Sequence, residues 1–125
     1  MEANEIRVGN WLNDPRPFNE DTKKFFKMTD NGYFKATARD IQYAEEFEPI
    51  TLTEEILLKC GFEKTGITEL YYSTDTINIS WFEEDPTVIE INCENIQCYI
   101  INCEYLHQLQ NLYFALKGQE LEINL

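Results

Sequence analysis

Cys93, Cys98, Cys103 and His107 follow the pattern Cys-x4-Cys-x4-Cys-x3-His, the densest grouping of reactive side-chain types in the chain. Thiolates and an imidazole could hold zinc, but structural zinc usually takes pairs about two to four residues apart on a knuckle. Here the cysteines fall on successive strand candidates, where a thiol packs as a small hydrophobe. A cysteine nucleophile would need His107 as its base and an acid to orient the ring. His107 instead sits among amides, beside Leu106, in a helix-patterned segment. The expectation is that the chain is not an enzyme and has no catalytic residue, no metal site and no cofactor.

Two charged groupings remain as binding candidates. Glu83, Glu84 and Asp85 run together beside Pro86, with Glu90 and Glu94 further along. Carboxylate chemistry of the glycosidase type needs two groups facing each other across a cleft. A contiguous run in a turn is instead a solvated knob that can meet a basic partner.

The opposite grouping is Lys23, Lys24, Lys27, Lys35 and Arg39, interleaved with Phe25, Phe26, Tyr33 and Phe34. Cations on phosphate with rings against a base can hold a nucleotide, and Arg7 and Arg16 could add a guanidinium fork. The bland alternative is a hairpin with its aromatics inward and its lysines in water.

The overall charge favours the acidic reading. The chain of 125 residues has 23 acids, 10 Lys and Arg, and a net charge of −13. Residues 1–64 hold nine bases and thirteen acids, whereas residues 65–125 hold Lys117 alone against ten acids. Such a C-terminal half repels nucleic acid and attracts a basic protein surface. No apolar run approaches the roughly 20 residues a membrane-spanning helix needs, and no leader pattern opens the chain. Together with four cysteines read as free thiols, this predicts a cytoplasmic protein that does not engage a membrane.

The elements that position these groups are legible from pattern. Residues 5–12 read as a first strand with Gly9 as a bulge or close approach, ended by Pro15 and Pro17. Lys23 to Thr29 and Tyr33 to Ala38 flank Asp30-Asn31-Gly32, a hairpin signal, so the N-terminal part is expected to form a small SH3-like barrel. Thr53 caps a short helix, Leu52 and Leu57 staple it, and Gly61 closes it.

Four strand candidates follow at 67–73, 76–82, 87–93 and 96–103, forming an antiparallel meander. Leu106, Leu109, Leu112, Tyr113 and Leu116 then recur at helical spacing, with Gly118 at the stop. This helix is expected to cover the apolar face of the meander, with Leu121, Ile123 and Leu125 as an edge strand. The expected fold is α+β, mostly antiparallel sheet with two helices. It forms one domain over 1–125, with a β-rich subregion 1–50 and a helix, meander and helix over 51–125.

Three blocks carry a resemblance. They are Glu5-Ile6-Arg7-Val8-Gly9-Asn10, the stretch Pro49 to Phe62, and the stretch Tyr105 to Leu116. In these blocks the chain resembles a family of uncharacterised small proteins common in gut Bacteroidales genomes and in their phages and prophages. Thr51 stands where that family often has proline, Lys117 where it often has threonine, and Asp14 to Lys24 looks like an insertion.

The resemblance implies a mobile-element setting and a bacterial host cytosol, but no functional residue. In that setting the first expectation is a non-catalytic accessory protein that blocks a host factor, foremost one of host defence, through its acidic surface. The alternatives are a sponge for a nucleotide immune signal, built on the basic hairpin of an oligomer, and a structural or assembly protein of the element.

Overall fold

The computed structural model describes residues 5–16, 19, 21, 28–29, 31–74, 77–93, 96–100 and 102–125. Within them the fold is α+β, with a two-stranded and a five-stranded antiparallel sheet. The chain divides into two compact units. The first comprises residues 1–51, 105–120 and 125, and the second comprises residues 52–104 and 121–124.

In the first unit, β1 (Trp11–Asn13) pairs antiparallel with β2 (Tyr33–Lys35), Leu12 opposite Phe34. Both of those central residues are buried, and they join Ile6, Ala36, Ala44 and Phe47 in an apolar cluster. Phe34 meets Phe47 edge-on at 4.8 Å. Gly32 enters β2 at φ +82°, and a Cβ there would lie 2.9 Å from the Asp14 carbonyl oxygen. Only glycine fits that turn.

The N-terminal part was expected as a barrel, but two strands are all the sheet this unit holds among its described residues. The segment expected to continue as strand to Ala38 turns instead into α1 (Ala38–Ile41). The local reason is a capping box. The Thr37 side chain accepts from the Asp40 amide, and the Asp40 carboxylate accepts from the Thr37 amide at 2.8 Å. Lys23, Lys24, Phe26 and Lys27 lie outside the described residues.

The helix predicted near the C-terminus is α3 (Leu106–Lys117), ended by Gly118 at φ 68°. It belongs to the first unit. Leu106, Leu109 and Tyr113 supply its apolar stripe, but two further buried positions are His107 and Gln110. Gln110 works like a peptide group. Its Nε2 donates to the Gly9 carbonyl at 3.1 Å, and its Oε1 accepts from the Trp11 amide at 2.8 Å. Beside it Asn111 Oδ1 accepts from Asn10 Nδ2 at 2.9 Å and from Arg7 Nε at 3.2 Å. The Gly9 carbonyl and the Trp11 amide thus find their partners on the helix, while the Gly9 amide and the Asn10 carbonyl bond Ala36 just beyond β2.

The second unit opens with α2 (Glu54–Lys59), capped as predicted by Thr53, whose Oγ1 accepts from the Ile56 amide at 3.2 Å. Leu52 and Leu57 are both buried. The sheet follows in simple order: β3 (Glu63–Lys64), β4 (Glu69–Ser73), β5 (Ile77–Phe82), β6 (Asp85–Cys93) and β7 (Ile96–Ile100). β3 was not predicted. Leu70, Ile77, Ile79, Trp81, Ile89 and Ile91 form the buried face, as the alternation required. Residues 121–125 form no strand. The Asn124 amide instead donates to the Lys59 carbonyl at 3.0 Å, where it satisfies a free helix end.

The amide contacts of α3 predict a graded stability series. Gln110→Ala empties a buried site and strips partners from two part-buried backbone groups, and should cost about 2–4 kcal/mol. Gly32→Ala should cost a comparable amount through strain and overlap. Arg7→Ala removes a half-exposed pair and should cost about 1 kcal/mol or less. Urea denaturation checks the order; a loss for Gln110→Ala no larger than for Arg7→Ala would contradict it.

Candidate functional site

The acidic candidates start at the turn between β5 and β6. Phe82 pairs with Asp85, leaving Glu83 and Glu84 as the two residues of the turn. The strand therefore begins at Asp85, two residues before the predicted Thr87. The register then shifts between Trp81 and Phe82, which leaves Pro86 in a bulge where its missing amide costs no ladder bond. Two bonds brace this projection. The Trp81 indole donates to the Pro86 carbonyl at 3.1 Å, and the Glu83 amide donates to the Thr68 carbonyl at 2.8 Å. Glu83, Glu84 and Asp85 are all exposed. The carboxylates are displayed on a held backbone.

Glu90 behaves differently. It lies on the other face of the sheet from the buried Ile89 and Ile91, half-buried. It accepts from Gln97 Nε2 at 2.7 Å and from Asn92 Nδ2 at 3.2 Å. It belongs to a strand-to-strand network more than to the turn. Glu94 lies outside the described residues.

The surroundings of the turn are acidic as well. The second unit carries twelve acids against two lysines, a net charge of −10. Both lysines are already engaged: Lys59 with Glu55 at 3.7 Å, and Lys64 with Glu54 at 2.8 Å. The Lys64 ammonium is held above its ordinary range, first by its hydrogen bond to Glu54.

The basic candidates are dispersed by comparison. The Arg7 guanidinium forms a two-pronged pair with Glu120, one prong at 3.0 Å, and lies 4.2 Å from the Phe114 ring centre. That hydrogen bond is also the chief cause of a lowered Glu120 carboxyl, against the effect of burial. Arg16 is held by Asp14 at 2.7 Å and by Glu46 at 3.4 Å. Burial alone would raise the Asp14 carboxyl, but the bonds and charge of Arg16 outweigh it and leave it lowered. Tyr33 and Lys35 share the outer face of β2, where the Lys35 ammonium lies 5.9 Å from the Trp11 ring centre. Arg39 is exposed on α1. The structure gives the two predicted fork arginines carboxylate partners within the chain.

The thiol and imidazole groups are buried for the most part. Burial pushes the Cys60 thiol up to about 12 and the Cys103 thiol up to about 11, so both stay protonated at neutral pH. Cys93 is half-buried and Cys98 exposed. His107 is 1% exposed, and neither ring nitrogen has a hydrogen-bond partner among the described residues. Its ring stacks on Tyr105 at 5.9 Å. Burial lowers its pKa, against the pull of the Glu5 carboxylate, so the ring is neutral at pH 7. No cluster of three potential metal ligands occurs among the described residues. Nor is any helix among them long and apolar enough to cross a membrane.

Sequence reasoning did not find Asn10, Gln110, Asn111 or Glu120. No local signal marks them, since their partners lie about a hundred positions away. Comparisons with protein-family models, with curated proteins and with solved structures return no match.

His107 is the chain's one histidine, which makes its linkage separable. Its folded pKa lies below the unfolded value of about 6.5, so the unfolded chain takes the proton first as pH falls. Stability should therefore decline from about pH 7 through 6.5 and below, before ordinary carboxylates titrate. His107→Phe should flatten that decline in melting temperatures taken across the same window; an unchanged slope would contradict the assignment.

Proposed function

We propose that the protein acts by binding: it is an accessory protein of phage or prophage type that occupies a basic surface of a host factor, foremost a defence component, and blocks it. The observation that carries this reading is the second unit's charge. Ten net negative charges, with both lysines paired internally, make a surface that attracts a basic partner. The turn at Glu83, Glu84 and Asp85 is the part of that surface best prepared for recognition. Its backbone is braced, so docking orders little that is mobile. The mobile-element setting and the host cytosol come from the resemblance of the three sequence blocks.

The nucleotide sponge is the weaker reading, because Arg7 and Arg16 are engaged by Glu120, Asp14 and Glu46. A sponge would have to rely on Lys35, Arg39 and the lysines between 23 and 27.

Charge reversal tests the proposal. Wild type and a Glu83→Lys, Glu84→Lys, Asp85→Lys variant would be used as bait in a Bacteroidales lysate, each at low and high salt. The proposal expects one host protein retained by wild type at low salt and released by salt. It also expects the variant to retain that protein at least tenfold less, since losing about 1.4 kcal/mol of binding suffices for that change. Equal retention by the two baits would remove this surface from the account.

A further inference from the structure

β7 closes the five-stranded sheet, and among the described residues β6 is its one strand partner. Its outer edge therefore presents a row of backbone donors and acceptors that water or another extended chain can satisfy. Natural edges are usually blunted by charge, proline or cover. The segment Ile96-Gln97-Cys98-Tyr99-Ile100 has neither charge nor proline, within a chain of net charge −13.

Its two faces are equally telling. Pairing sets Ile91 opposite Cys98 and Ile89 opposite Ile100, so Ile96, Cys98 and Ile100 continue the face that is buried further along the sheet. There the burial stops. Ile96 is 69% exposed, and Cys98 is exposed as well. The other face carries Gln97 and Tyr99, which are bonded to each other at 3.2 Å.

The order of these residues names the occupant. Read in either direction, the strand runs apolar, polar, thiol, polar, apolar about Cys98. We propose that a second copy of this chain pairs with β7 antiparallel about a two-fold axis at Cys98, joining two five-stranded sheets into one of ten. In that register Ile96 meets Ile100 of the second copy, Gln97 meets Tyr99, and Cys98 meets its own equivalent. Each position finds its own kind, and no acid on β7 faces another. β7 itself carries no charge to pair with a basic or acidic strand. This interface does not depend on the binding reading above.

The register makes a geometric prediction. Directly opposed residues in an antiparallel pair have Cα atoms about 4.5–5.5 Å apart, inside the range of about 4.4–6.8 Å that a disulfide spans. Diamide should therefore join two Cys98 thiols, each losing a proton and an electron as the diazene is reduced to the hydrazine.

The experiment uses the full chain. Under reducing conditions, sedimentation over about a hundredfold range of concentration should show a monomer–dimer equilibrium set by mass action. After diamide, peptide mapping should place the bond between Cys98 residues, and Cys98→Ser should dimerise without forming it. Cys98→Lys sets like charges against each other at an exposed position. It should weaken dimerisation at least tenfold while leaving the circular dichroism spectrum unchanged. A wild-type chain monomeric throughout, a dimer linked only through other cysteines, or a Cys98→Lys chain that dimerises as wild type would each overturn the proposal.

Discussion

Two side-chain amides on consecutive residues of α3, Gln110 and Asn111, hold the N-terminal segment to the helix. The chain turns at Gly9, and although the Gly9 amide and the Asn10 carbonyl bond Ala36, the Gly9 carbonyl and the Trp11 amide face away from that segment. These two groups still need partners, since an unpaired buried amide or carbonyl costs about 1–3 kcal/mol. Gln110 supplies both an acceptor and a donor, and Asn10 and Gln110 are almost wholly buried with their amides satisfied. The β1–β2 pair and its apolar cluster adjoin this anchoring. So does the Arg7–Glu120 pair, which sits at the rim of the same contact and gains from proximity more than it provides.

Residues of the segments 5–10, 49–62 and 105–116 meet around the same contact. The first block is the segment held, and the third is the helix that holds it. The start of the second pairs with the start of α3, where the Leu106 amide donates to the Ile50 carbonyl at 2.8 Å and Thr51 bridges Tyr105. The most distinctive stretches of the sequence are thus accounted for by folding.

What could be read from sequence was local. Thr53, Leu52, Leu57 and Gly61 announce α2 because each cap acts within a turn of its own position. Ile77, Ile79, Trp81, Ile89 and Ile91 announce the meander because alternation needs no partner to be visible. Thr37 and Asp40 carried a capping-box spacing that the apolar residues just before them concealed. Gln110 and Asn111 look like a solvated helix face, and only their distant backbone partners show otherwise. Arg7 reads as an available cation until Glu120, 113 positions away, is brought beside it. The acidic turn reads from sequence as Glu83 to Pro86 but is two residues shorter, because β6 starts at Asp85 and the bulge beside Trp81 takes in Pro86.

The central claim is that the amide contacts of α3, beside the backbone bonds to Ala36, secure the N-terminal segment. Native-state amide hydrogen exchange tests it directly at Trp11, whose N–H reaches no strand and ends on the Gln110 side chain. The account predicts protection for this amide comparable to the slowest backbone amides of the first unit, opening only with the unit as a whole. Exchange at the rate of a fraying terminus, with the amides of Leu109 and Tyr113 still protected, would contradict it.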